Sequence, residues 1–126
     1  MMHLAEIIDW ISRLAIAAYF LWATVFNAQS WNFQLSEFKR VGIERGASLL
    51  IALGLAMLAG GSVLLLIPST ALIGAWVLIV FVLSADAIFH RYWTYSDPQE
   101  QVIHKIFLFE HVALVGGLLA IISARL

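Results

Sequence analysis

The side chains best suited to chemistry in this sequence are histidines and carboxylates between residues 86 and 111. Asp86 and His90 are four residues apart, and His104 and His111 are seven apart, so each pair lies on one face of a predicted helix. Helical rise puts Asp86 about 6 Å deeper than His90, and His111 about 10 Å deeper than His104. The spacing predicts an outer layer of His90 with His104, and an inner layer of Asp86 with Glu110 or His111.

Three chemistries suit these residue types. Imidazole and carboxylate groups could bind Zn, Fe or Cu, although no spaced ligand motif accompanies them, and a haem held between two histidines is a further alternative. A quinone could be held by hydrogen bonds from the same groups. The groups could also relay protons, because histidine titrates near neutral pH. Ionisable groups inside a membrane are costly unless paired, so an inward-facing cluster is our default hypothesis for a site.

A purely structural role is the alternative for the whole set. Asp86 and His90 would then pair within one helix, and His104 would lie at the membrane interface. Glu110 would pair with its neighbouring histidine or with Arg91.

Two polar residues of the first apolar segment form a second candidate set. Asn27 ends that segment on the side of the polar layers. Arg13 lies toward the other end, one turn after Asp9, and this spacing favours an i, i+4 ion pair at the interface.

The composition predicts a membrane protein. Of the 126 residues, 63% are hydrophobic and 12% are charged, and the mean hydropathy is +0.95. The formal net charge of -1 argues against nucleic acid as a partner, since binding phosphates requires clustered Lys and Arg. Cysteine is absent, which excludes thiolate chemistry and sulfur-ligated metals for this chain alone.

Four apolar segments set the predicted fold: 8–27, 47–67, 70–90 and 105–123. Each is close to the roughly 20 residues needed to cross a bilayer, and none shows the alternation of a barrel strand. We therefore predict an all-α fold, an integral membrane four-helix transmembrane bundle that forms a single domain over residues 1–126.

The connections between these segments carry turn and helix signals. Pro68 marks a tight turn, and Asp97 with Pro98 is a helix-start signal, so the last helix could begin near Pro98. Residues 28–45 place apolar side chains close to helical spacing, which predicts a helix lying flat on the membrane surface.

Glycine pairs at 60–61 and 116–117 lie in similar apolar contexts. They suggest two duplicated helical hairpins, or else simple packing faces where small residues let helices approach.

The distribution of basic residues predicts the membrane orientation. Five basic residues flank the loops and two lie on the side of the termini: Lys39, Arg40, Arg45, Arg91 and Lys105, against Arg13 and Arg125. The positive-inside rule then places the loops in the cytoplasm and the termini outside. The aromatic and basic residues of the loops also suggest a surface that docks a partner protein: Trp31, Lys39, Arg40, Arg91 and Trp93.

The segment FHRYWTYSDPQEQVIHKIFLFEHVALVGGLLAI, residues 89–121, resembles the DoxX family. The shared features are an aromatic-His-x-aromatic-Trp sequence at the end of the third apolar segment, an Asp-Pro pair, and a last helix that ends in Gly-Gly-Leu-Leu; Arg13 fits the same pattern. Two departures stand out: Glu110-His111 replaces a common Lys-Asn pair, and an acidic residue that many relatives carry before the first Gly-Gly is absent.

The resemblance implies a small four-helix protein of the inner membrane, in a family linked to quinone-coupled oxidoreductases, including a thiosulfate:quinone oxidoreductase subunit. Together with the His and carboxylate cluster, it leads to our first hypothesis, a membrane subunit of a quinone-linked oxidoreductase that works with partner subunits or as a homo-oligomer. The second hypothesis is a non-catalytic anchor or assembly subunit. The third is a small transporter component, which the absence of a continuous polar pathway disfavours. Whether the chain is itself an enzyme stays open.

Overall fold

The computed structural model describes all residues from 1 to 126 and contains helices but no strands. Its five α-helices are α1 Leu4–Gln29, α2 Trp31–Arg40, α3 Ala47–Leu66, α4 Ala71–Phe89 and α5 Pro98–Ser123. Two single turns of 3₁₀-helix, Pro68–Thr70 and Tyr92–Thr94, stand before and after α4. The predicted all-α class is confirmed.

The predicted number of helices needs a correction, because the fold contains five α-helices rather than four. The additional helix is α2, which falls within the 28–45 segment whose apolar spacing indicated a helix. The last helix begins at Pro98, as the Asp-Pro signal suggested, and not at residue 105, where its apolar segment begins. The side chain of Asp97 caps it by accepting a hydrogen bond of 3.1 Å from the backbone N–H of Gln99.

The four long helices alternate in direction along the chain. The α3 and α4 helices form a hairpin across the Pro68 turn, and α4 and α5 form a second pair that brings His90 next to His104. At the opposite end, Arg125 contacts Asp9, so the end of α5 lies beside the start of α1. Both chain termini therefore lie at one end of the molecule, and α2 and the 90–97 connection lie at the other.

The core is a continuous apolar cluster to which α1, α3, α4 and α5 all contribute. Its buried members are Ala17, Phe20, Leu58, Leu65, Ala75, Leu78, Ile79, Val82, Leu118, Ile121 and Ile122. A smaller cluster attaches α2 to α3, where Phe38 packs with Ala47 and Ile51, and the ring of Phe38 meets that of Phe89 edge-on. This smaller cluster fixes α2 against the end of the molecule that carries the histidines.

Glycine allows α3 and α4 to approach closely. A methyl group added to Gly74 would lie 2.5 Å from the backbone nitrogen of Leu65 and 2.7 Å from the carbonyl oxygen of Gly61. Gly117 likewise meets Ile16, whereas Gly60 and Gly116 face open space. Helix packing thus involves Gly61 of the first glycine pair and Gly117 of the second. The duplication of two helical hairpins stays a prediction.

Three helical stretches are long and apolar enough to cross a membrane: Ala47–Leu66, Pro68–Thr94 and Pro98–Ser123. Only 17% to 28% of their most apolar windows is buried within the chain. The side chains of Trp22 and Trp76 are 60% and 48% exposed. Such an apolar exterior is typical of a surface covered by lipid or by another protein. The α1 helix is not among the three stretches, and its first half carries Glu6, Asp9 and Arg13.

Candidate functional site

The side chains of Asp86, His90, His104 and His111 come together where α4 ends. Asp86 occupies the last turn of α4, and His90 is the residue that caps the C-terminus of this helix. Because α5 returns alongside α4, His104 and His111 lie beside them, with His111 about two turns farther from the loop than His104. The two-layer arrangement expected from the spacing is present in the geometry.

The inner layer is a pair of Asp86 with His111. Oδ1 of Asp86 and Nδ1 of His111 are 2.5 Å apart, and each side chain is only 12% exposed. Of the two partners considered for Asp86, the structure therefore selects His111. This contact joins α4 to α5 through a largely buried carboxylate and an imidazole.

The outer layer is a pair of His90 with His104, whose Nδ1 atoms are 2.9 Å apart. At this distance one nitrogen carries the proton and the other accepts it. The ring of His90 also lies edge-on to that of His111, with centroids 5.1 Å apart. His90 therefore connects the two layers, and the four side chains form one cluster rather than two separate pairs.

Tyr95 supports the outer layer from the connection between α4 and α5. Its ring stacks on that of His104, with centroids 4.0 Å apart and planes inclined by 14°. Its hydroxyl donates a 2.7 Å hydrogen bond to the backbone carbonyl of Phe89 and accepts one from Arg40. Burial raises the pKa of Tyr95 to about 12, so the hydroxyl stays a donor at neutral pH.

Helix α2 reaches the cluster through Arg40 and Glu37. The guanidinium of Arg40 lies 4.1 Å from the centre of the Tyr95 ring and donates a 3.2 Å hydrogen bond from Nε to the Glu37 carboxylate. Sequence reasoning missed both Tyr95 and Glu37. The only signal for Tyr95 was its place in the aromatic run YWTY that follows the first histidine of the cluster.

Glu110 lies outside the cluster. Its side chain is exposed and lines a concavity of ≈ 410 Å³ between α1 and α5, together with Ile16 and Tyr19. Adjacent helical residues point about 100° apart, so when His111 faces α4, Glu110 turns toward α1. Glu110 forms no ion pair with His111 or with Arg91, and the expectation of such a pair is wrong.

The two members of the second candidate set lie far apart and do not form one site. The Asn27 amide donates to the carbonyl of Ala23 one turn earlier in α1. Arg13 is 2% exposed and lies at the opposite end of α1, where its Nε donates a 2.9 Å hydrogen bond to Asp9, as the i, i+4 spacing predicted. Its Nη1 also donates to the carbonyls of Leu65 and Leu66, which lack helical partners at the end of α3.

The five residues of the predicted docking surface have different environments. Trp31 is partly buried and packs against the small cluster that holds α2, and Arg40, although exposed, is engaged with Tyr95. Lys39, Arg91 and Trp93 are exposed, and the Arg91 guanidinium lies 6.0 Å from the Trp93 ring.

One donor atom from each of Asp86, His90 and His111 lies within 4.8 Å of the other two, which is the only group of this kind in the chain. The cluster can therefore act as a set of metal ligands, as a chain of hydrogen bonds, or as a set of donors and acceptors for a polar ligand. Fold and cluster together define a small all-helical protein with an apolar exterior and a polar site at one end. No protein-family model matches the chain, and no curated protein or solved structure matches it.

Proposed function

We propose that this chain is a multi-pass protein of the cytoplasmic (inner) membrane in which α1, α3, α4 and α5 all cross the bilayer. Three of these helices have the necessary length and apolarity. The fourth, α1, has 26 residues, about 39 Å of helix, and packs along α3 and α5. Its most polar residue, Arg13, is buried against protein groups rather than lipid. The loops then face the cytoplasm and the termini face outside.

Within that membrane, we infer that the protein is a DoxX-like subunit of a quinone-linked oxidoreductase. The observation that carries this proposal is the cluster of one aspartate and three histidines, linked by short contacts, at one end of an otherwise apolar molecule. The sequence resemblance of residues 89–121 supports the same function.

The cluster suits the protons of quinone chemistry. Reduction of a quinone to a quinol consumes two electrons and two protons; the electrons would come from a partner redox subunit. His104 lies nearest the loop side, His90 contacts both layers, and the Asp86–His111 pair lies deepest. Protons from the loop side would therefore pass along imidazoles to a quinone that hydrogen-bonds to the inner pair.

The test is quinone reduction by membranes that carry the complex with its partner subunits. We expect Asp86→Asn and His111→Ala each to slow quinol formation at least tenfold, while the partner subunits stay bound. Glu110→Gln is the matched control, because Glu110 is next to His111 in sequence but turned away from the cluster. Quinone reduction that is unchanged in both cluster variants would rule out this function.

The second candidate function is a non-catalytic anchor, and the exposed residues Lys39, Arg91 and Trp93 favour it. They lie at the cluster end of the molecule, where a peripheral subunit could dock. If the protein is an anchor, charge reversal at Lys39 and Arg91 should release the partner subunits during mild extraction, while Asp86→Asn should leave both the complex and its activity intact. The transporter hypothesis has no such support, because the core between the two polar ends is apolar.

A further inference from the structure

We propose that Asp86, His90 and His111 bind one divalent transition-metal ion, with His104 and Tyr95 positioning the ligands. The inference does not depend on the quinone function, since metal binding can be measured without quinone or partner subunits. It is a different use of the same inner pair, because the atoms of Asp86 and His111 that coordinate an ion are then not available to hydrogen-bond a quinone.

The first argument is the geometry of the donor atoms. One carboxylate oxygen and two imidazole nitrogens lie within 4.8 Å of one another. Ligand bonds of about 2.0 to 2.2 Å place neighbouring donors of a tetrahedral ion about 3.4 Å apart. The widest donor pair would therefore close by up to about 1.4 Å, whereas Oδ1 of Asp86 and Nδ1 of His111, which are 2.5 Å apart, would separate by about 0.9 Å; rotation about the side-chain bonds can supply both changes.

The second argument is the contact between Asp86 and His111. Their 2.5 Å separation shows that the backbones already hold a carboxylate and an imidazole face to face at one point between α4 and α5. A bound ion would be coordinated by Oδ1 of Asp86 and Nδ1 of His111 in place of their direct contact, and ligands of this kind bind metal in their deprotonated form.

The third argument is the support behind the ligands. A histidine ligand usually makes a hydrogen bond with its second ring nitrogen, which fixes its tautomer and orientation. His104 provides that contact to Nδ1 of His90 at 2.9 Å, leaving Nε2 of His90 for the ion. Tyr95 in turn holds His104 by ring stacking and is itself fixed by the Phe89 carbonyl. This organisation exceeds what an isolated ion pair within the membrane requires.

The donor set indicates the class of metal. Two imidazoles and one carboxylate suit Zn²⁺, Fe²⁺ and related first-row ions, whereas Mg²⁺ and Ca²⁺ prefer sites made of oxygen atoms. The chain contains no cysteine to favour soft ions such as Cu⁺. Three protein ligands leave at least one coordination position for water or a small ligand, as in metal sites that carry out chemistry rather than hold a fold together.

The experiment uses the full chain in lipid nanodiscs, purified without a polyhistidine tag and treated with a chelator. Zn²⁺ is titrated in competition with a chromophoric chelator, and Co²⁺ is used separately because its visible absorption reports nitrogen and oxygen ligation. We expect one ion per chain. We also expect Asp86→Asn, His90→Gln and His111→Gln each to weaken binding by more than a hundredfold. His104→Ala should weaken it about 10- to 100-fold while keeping the stoichiometry, as loss of a supporting contact does.

Two variants serve as matched controls. His3→Ala removes the one histidine outside the cluster, and Glu110→Gln neutralises a neighbouring carboxylate that faces away. Both should bind as the wild type does. Helix content and elution volume identify variants that do not fold, and each ligand is tested by its own substitution, so one misfolded variant leaves two others.

Wild-type affinity no higher than that of the folded ligand variants would overturn the proposed metal site. Loss of binding in His3→Ala would also overturn it. A failure of metal binding would leave the quinone assay above unaffected, because that assay measures quinol formation in the complex. Conversely, stoichiometric Zn²⁺ binding in a protein without any quinone activity would support the metal site alone.

Discussion

Arg13 is a buried cation held by three hydrogen bonds, so its replacement should lower stability. Replacement by Ala would remove the Asp9 contact and expose two carbonyls at the end of α3. We expect Arg13→Ala to lower the free energy of unfolding by about 1–3 kcal/mol, because the carbonyls of Leu65 and Leu66 lose their donor while Asp9 keeps its contact with Arg125. Arg13→Lys should lose less, since an ammonium can reach some but not all of these acceptors.

Unfolding by denaturant in detergent micelles measures this effect. Arg45→Ala is the control, because Arg45 is exposed and forms no ion pair. If Arg13→Ala proves as stable as Arg45→Ala, then the contacts of Arg13 contribute no net stability.

Tyr95→Phe tests the support of the outer histidine layer. The substitution keeps the ring that stacks on His104 but removes the hydroxyl bonds to Phe89 and Arg40, so we expect a loss of about 1–2 kcal/mol at neutral pH. The folded state raises the pKa of Tyr95 from 10.0 to about 12, so its contribution is complete below pH 10.0 and is lost as the pH rises through about 12.

The gap in stability between wild type and Tyr95→Phe should therefore narrow as the pH rises from 10.0 to about 12. Tyr92→Phe provides the comparison at neutral pH, because the Tyr92 hydroxyl makes no hydrogen bond within the chain and its removal should change stability little. If the stability difference between wild type and Tyr95→Phe instead widens as the pH rises, the raised pKa of Tyr95 is contradicted.

Helix periodicity predicted which residues of the cluster share a helix face, but not every pair that they form. Asp86 with His90 and His104 with His111 share helix faces, and antiparallel neighbours bring those faces together, so the two layers followed from spacing. The choice between Glu110 and His111 depends on the rotation of α5, which spacing alone leaves open. Tyr95 lies in an irregular connection, where periodicity says nothing about side-chain direction.

Among the elements, the α3–α4 hairpin has the contact that most requires a small residue, at Gly74. Gly74→Ala would place a methyl group against rigid backbone atoms of α3, so the two helices must separate. We expect a loss of at least about 1–3 kcal/mol, the usual cost of overpacking a core. Thermal unfolding in nanodiscs is the measurement.

Gly60→Ala is the matched control for that substitution. It adds the same methyl group to the same hairpin, but Gly60 faces open space. Alanine also favours helix over glycine, so Gly60→Ala should be neutral or stabilising. Equal destabilisation by the two substitutions would mean that the close approach of α3 and α4 is not what limits stability.

The bounds of the long apolar helices were predicted more accurately than the total number of helices. The second and third predicted segments agree with α3 and α4 to within a residue, because long apolar runs between turn signals are the strongest pattern in such a chain. The spacing in residues 28–45 predicted a helix there, but not that it would span only Trp31–Arg40 or that Phe38 would pack on α3. A helix of ten residues depends on tertiary contacts, which a sequence pattern does not contain.

At the scale of the whole molecule, the membrane proposal predicts that the chain termini are exposed outside the cell and the loops in the cytoplasm. The absence of cysteine makes single-cysteine labelling direct. We expect Met2→Cys to react with an impermeant maleimide from outside intact spheroplasts, and Ser96→Cys to react only in inverted vesicles. Labelling of both from the same side would contradict four membrane crossings, and the reverse pattern would invert the orientation.

The position of Asp9 in the structure also has a consequence for biosynthesis. Asp9 is held by Arg13, one turn away, and by Arg125, which is 116 residues later in the chain. The carbonyl partners of Arg13 themselves lie 52 and 53 residues after it. Asp9 and Arg13 are therefore synthesised long before Arg125 and the end of α3, and the contact with Arg125 forms only after α5 has been made. We expect α1 to be retained at the insertion machinery until α3 emerges, and a chain that stops before Arg125 to leave one carboxylate oxygen of Asp9 without a partner.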